Sequence, residues 1–192
     1  MDWLLLLPQL PATPSSLRVM VWRKMRQIGA LGLQNGVWIL PARADLSQWL
    51  NELHAVVRQQ GGEAFLFHAQ TADAEAETLI RARFCAERDE EYAEFLGRCQ
   101  DFLAEVAKET QQEKFTFAEM EEIEEDLEKL EHWLGKIRAR DFFGAAQAEP
   151  ARAALNACRE AFATFVRQVY QRQGLEPPSA TTFDPALGDE AL

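Results

Sequence analysis

The sequence predicts an α+β fold, a ferredoxin-like β-α-β-β-α-β sandwich followed by an antiparallel three-helix bundle. Three observations carry that prediction. Apolar runs closed by proline and glycine fill the first seventy residues, strand signals stop at Thr71, and three helical repeats occupy the rest. Charge divides along the same line: residues 1–60 hold six Lys/Arg against three acids, whereas the whole chain of 192 residues has a net charge of −11. The expected units are 1–71, 72–174 and a mobile tail, 175–192, rich in proline and poor in apolar residues.

Trp3 to Leu7 is a continuous apolar run, the pattern of a covered strand, closed by Pro8, Pro11 and Pro14. It lacks the basic start and small-residue cleavage site of a signal peptide. Ser15 or Ser16 can cap a helix on which Leu17, Met20, Val21, Met25 and Ile28 form an apolar stripe. Asn35-Gly36 between apolar runs is a hairpin signal, because a type I′ turn needs positive φ at both central residues. Asp45 then opens a second helix through Leu46, Trp49, Leu50, Leu53 and Val57, Gly61-Gly62 ends it, and EAFLFHA is the last strand. That order places the first strand centrally in an antiparallel sheet, with both helices on one face.

In the back unit, Tyr92, Phe95, Leu96, Cys99, Phe102, Leu103 and Val106 keep a near-heptad spacing. Thr116-Phe-Ala-Glu119 is a capping box for a helix through Met120, Ile123, Leu127, Leu130, Leu134 and Ile137. Pro150 starts the third, which carries Leu155, Cys158, Phe162, Phe165 and Val169. The short connections imply antiparallel neighbours. Cys85 and Cys99 would lie about 21 Å apart on one helix, too far to bridge. Cys158 has no evident mate, so a reduced compartment, the cytoplasm, is expected. No apolar run reaches the roughly 20 residues that span a bilayer.

Three clusters bear on function. On the first helix Arg18, Trp22 and Arg26 fall at i, i+4 and i+8, with Arg23 and Lys24 further round. Guanidinium forks bind phosphate and stack on aromatics, so this flank suits a nucleic-acid backbone if it stays accessible and apart from the anionic remainder. The alternative is a solvated face whose Trp22 packs on the back unit. In the bundle, Arg81, Arg83, Lys136 and Arg138 could form an oxyanion pocket. Interleaved acids (Glu87, Asp89, Glu90, Glu91, Asp141) could instead pair with these and with Arg88 and Arg140. The third cluster is acidic, with His132 four residues after Glu128. Di-iron bundles, however, use Glu-x-x-His on two facing helices, and most acids here lie off the seam, so a solvated face is expected and no metal or cofactor. Nucleotide-binding, zinc-protease, C-x-x-C and nucleophile-elbow motifs are absent, so no enzyme is expected.

The stretches WLLLLPQLP, RVMVWRKMRQIGALGLQNGVWILP, RFCAERDEEYAEFLGRC, KFTFAEMEEIEEDLEKLEHWLGKIRARDFFGA and FVRQVY together resemble the N-terminal domain of the chromate-resistance regulator family ChrB. The front unit is also similar, over a shorter span, to the central domain of PaaX-type repressors. The ChrB resemblance implies a cytoplasmic protein linked to regulation of chromate efflux, whose full-length members bind promoter DNA and respond to chromate. Those members continue into a C-terminal domain, so a stand-alone N-terminal form is the expectation here. It leaves two partner classes: promoter DNA met by Arg18, Trp22, Arg23, Lys24 and Arg26 in a homodimer, or chromate, sulfate or a protein met through the bundle.

Overall fold

The computed structural model describes residues 1–11, 15–34 and 36–176. Pro14, Asn35 and the tail from 177 onward lie outside them. Among the described residues the chain is mixed α+β, with four strands and five helices: β1 (Asp2–Gln9), α1 (Ser16–Gln27), β2 (Leu31–Gln34), β3 (Val37–Pro41), α2 (Ala44–Gln59), β4 (Glu63–Gln70), α3 (Ala74–Gln111), α4 (Phe117–Arg138) and α5 (Ala148–Arg172). The strands form one antiparallel sheet in the order β2-β3-β1-β4. The chain divides into two compact units, Met1–Glu91 with Lys136–Ala148, and Tyr92–Gly135 with the residues from Glu149.

In the first unit β1 is apolar from Trp3 to Pro8 because both faces of the sheet are covered near it. Leu4, Leu6, Leu40 and Ala64 pack on one face against Leu17, Val21 and Met25 of α1 and Leu46, Leu50, Leu53 and Val57 of α2. Each such side chain contributes about 1.5–3 kcal/mol when fully buried. On the other face Trp3, Leu31 and Ile39 meet Phe84 of α3, together with Phe142 and Phe143. The Trp3 and Phe84 rings are 6.0 Å apart and nearly parallel, and Phe143 tilts against both, at 5.8 and 5.3 Å. Gly36 closes the β2-β3 turn at φ +79°, the left-handed conformation such a turn requires. Ser15 precedes α1 without the expected side-chain cap, its backbone being already helical.

The second unit buries Tyr92, Phe95, Cys99, Phe102 and Val106 of α3, Ile123, Leu127, Leu130 and Leu134 of α4, and Leu155, Cys158, Phe162, Phe165 and Val169 of α5. Phe95 meets Trp133 edge-on at 5.6 Å, and Phe115 lies 5.5 Å from Phe165. Thr116 caps α4, its Oγ1 accepting from the Glu119 backbone N–H at 3.2 Å. Cys158 has a neighbour that sequence spacing does not reveal: its thiol donates to the Cys99 carbonyl at 3.7 Å.

Candidate functional site

The buried stripe of Leu17, Val21 and Met25 fixes the rotation of α1 about its axis. At 100° per residue this turns Arg18 and Trp22 to one flank and Arg23 to the far side. Arg18, Trp22, Arg23 and Lys24 are all exposed. Trp22 is 55% exposed, so its indole is not packed away. That flank therefore offers a flat aromatic one turn from Arg18, chemistry that suits phosphate and base stacking, with Arg23 further round and Lys24 on the opposite flank.

Arg26 does not join this set. Its Nη1 donates to Oε2 of Glu87 on α3 at 2.7 Å, so the last turn of the expected cationic flank is neutralised. The expectation that the flank stands apart from the acidic remainder is corrected at that position, because the covering of the sheet's second face by α3 brings Glu87 within reach.

Around this pair the structure assembles charges that the sequence only hinted at. Arg88 is 3% exposed; its Nη2 lies 3.1 Å from Oε1 of Glu91 and 3.5 Å from Oε2 of Glu87. Arg140 reaches the other Glu91 oxygen at 2.8 Å and donates from Nε to the Lys136 carbonyl at 2.9 Å. Three guanidinium groups thus share two carboxylates. Burial first, then the cations Arg140 and Arg26, pulls the Arg88 guanidinium below its usual value, against the opposite effect of Glu91 and Glu87. Its Nε and Nη1 have no partner among the described residues.

The four cations expected to bind an oxyanion take other roles in part. Arg81 lies over the Phe143 ring at 5.0 Å, and Arg83 donates from Nη2 to the Gly32 carbonyl at 2.7 Å. Two residues apart on a helix, their side chains diverge, and each supports a different piece of the sheet's second face. Lys136 and Arg138 are exposed at the end of α4. On the acidic helix, Asp126 pairs with Lys129 at 2.8 Å and Glu131 with Arg159 at 2.7 Å, while Glu128 and His132 are exposed. Among the described residues no three His, Cys, Asp or Glu side chains converge on a point.

Sequence periodicity also missed an apolar feature: Phe65 and Phe67 of β4 are half-exposed and stacked on each other at 6.5 Å. Alternation in EAFLFHA marked the strand but could not show which face stays open. No helix among the described residues is long and apolar enough to cross a membrane.

A family model described as Protein ChrB, N-terminal, matches residues 18–176. Protein ChrB of Cupriavidus metallidurans is 34% identical over 94 residues, which cover 49% of this chain and 28% of that protein. The match therefore spans less than a third of that relative's length.

Proposed function

The chain belongs to the ChrB N-terminal family, and from that premise we propose that it is a regulatory protein of chromate resistance that meets promoter DNA through the outer side of α1. The observation that carries this is the exposure of Trp22 one turn from Arg18, with Arg23 and Lys24 exposed further round the same helix, in a chain of net charge −11. The local field of an acidic protein favours DNA only where cations are concentrated, and here four exposed or half-buried basic residues fall within nine positions of α1. The strand order β2-β3-β1-β4 supports reading the first unit as a ferredoxin-like sandwich, and the packed α3, α4 and α5 support a three-helix bundle after it in the chain. We assign the protein to the cytoplasm and give it no catalytic role.

Fluorescence anisotropy with the duplex that lies upstream of the gene tests this. Binding is expected at about 50 mM salt and to weaken log-linearly as salt rises, since each phosphate contact releases counterions. No association at that salt overturns the reading.

A second reading has its own observation, a cleft of about 490 Å³ in the second unit lined by Phe102, Ile123, Leu130 and Trp133 and by an equal share of charged side chains, Arg98 and Asp126 among them. It favours the accessory-protein reading, with a protein partner docked on the bundle there. The same titration separates the two, because a docking protein leaves the duplex free.

A further inference from the structure

The two edges of the sheet are treated differently. Asp2 accepts from the Ala42 N–H at 3.0 Å, so even-numbered residues of β1 bond toward β3 and odd-numbered ones toward β4. The register carries this outward. Phe65, Phe67 and Ala69 bond inward to β1, while Ala64, Leu66 and His68 turn their backbone groups to the edge. The same parity turns Gly32 of β2 outward, where Arg83 covers its carbonyl. β2 is also only four residues long, with a register shift between Gly32 and Gln34. Short strands, bulges and charges of this kind are how proteins blunt an edge.

β4 is less protected, with a side-chain cover and a charge only at its first two residues. Its eight residues pair with β1 without a shift and contain no lysine or proline. His54 donates from Nε2 to the Ala64 carbonyl at 2.9 Å, but among the described residues nothing engages the outward groups of Leu66 and His68. Beside them Phe65 and Phe67, 45% and 49% exposed, leave a stacked aromatic pair on the same face as Trp3. One exposed ring is ordinary, but two on a bare edge form a pairing template.

We propose that β4 pairs antiparallel with β4 of a second copy about a two-fold axis at Leu66, making one continuous eight-stranded sheet. Self-complementarity selects this occupant and this register. Outward residues must face outward residues, so Leu66 meets its own copy and Ala64, whose carbonyl keeps a second lone pair beside the His54 bond, meets the partner's His68. Phe65 then lies opposite the partner's Phe67, and the reverse, which gathers four rings on one face. Glu63 falls opposite the partner's Ala69, so no like charges meet. An axis at Phe65 would set Glu63 against Phe67, and one at Phe67 would pair Phe65 with Ala69; both lose aromatic contacts. Because the axis is perpendicular to the sheet, both α1 helices stay on one side of it. The dimer would double a cationic footprint, but it does not depend on DNA binding.

Sedimentation velocity of the full chain reads this directly. The wild type is expected at twice the 21.8 kDa chain mass. F65E/F67E and F65K/F67K each place like charges opposite one another and should weaken self-association by about 100-fold or more, with unchanged circular dichroism. Mixed in equal amounts, they should form the heterodimer, since every Glu then faces a Lys. A wild type that stays at 21.8 kDa, charged variants that dimerise as it does, or a mixture that does not associate would each overturn the proposal.

Discussion

Arg26 donates to the Glu87 carboxylate at 2.7 Å, joining the last turn of α1 to a helix 61 positions later. This engaged cation separates Arg26 from Arg23 and Lys24 in any contact with phosphate. Arg26→Ala is expected to leave duplex affinity and its salt slope nearly unchanged. Replacing Arg23 and Lys24 together by alanine should weaken binding and make the slope shallower by about two. Anisotropy at several salt concentrations distinguishes the two variants.

Glu91 is shared between buried Arg88 and Arg140, so its loss removes a counter-charge from both. Glu91→Ala should lower stability by about 1–3 kcal/mol, less than for a fully buried pair because the carboxylate keeps some solvent contact. Arg88→Met is expected to change stability by less than about 1 kcal/mol, since it removes two unpartnered buried donors along with the charge. Urea midpoints of the two variants measure the contrast.

Acid should loosen the second unit through Glu109. This glutamate is 2% exposed, with Lys114 Nζ 2.8 Å from one oxygen and Lys108 Nζ 3.3 Å from the other. The Lys114 ammonium beside it is the main cause that holds its carboxyl below the ordinary 4.5. The unfolded chain therefore takes up this proton first as pH falls. Stability from the contact is complete above 4.5 and is lost as pH drops through the lower folded value. Thermal midpoints of the wild type should fall between about pH 5 and pH 3, and Glu109→Gln should start lower and fall less steeply.

Thiol labelling should rank the cysteines by burial. Cys99 and Cys158 are buried against each other, whereas Cys85 is half-buried. Burial, then the charges of Asp141 and Asp89, pushes the Cys85 thiol up, so little thiolate forms at neutral pH. The native chain should titrate one thiol, more slowly than free cysteine, and denaturant should release all three. Three fast thiols without denaturant would contradict the packing.

What the sequence disclosed was local. The stripe Leu46, Leu50, Leu53 and Val57 is buried as its spacing requires, Gly36 takes the positive φ of its turn, and Thr116 caps α4. Each is decided within a few residues, where periodicity and backbone preference act. The partners of the sheet's second face were not legible, because Phe84, Phe142 and Phe143 reach Trp3 from far along the chain. For the same reason a helical wheel places Arg26 off the core yet cannot name Glu87. Ser15 shows the reverse case, a favourable capping residue whose signal the backbone does not use.

Two glycines with nearly equal φ allow the Arg140 contact to be weighed. Gly61 has φ +77° with open space where a Cβ would project, whereas at Gly29, φ +80°, an added Cβ would sit 2.8 Å from Cβ of Arg140 and 3.3 Å from its Cα. The left-handed backbone alone penalises an L side chain by about 1–2 kcal/mol. Gly61→Ala should cost only that. Gly29→Ala must also displace Arg140 and loosen its bond to Glu91, so it should cost about 1–3 kcal/mol more. Part of the obstruction is the Arg140 side chain, so in an Arg140→Gly background the Gly29→Ala cost should fall toward that of Gly61→Ala. A double-mutant cycle from urea midpoints gives this coupling, and equal costs in both backgrounds would mean that Arg140 does not close over Gly29.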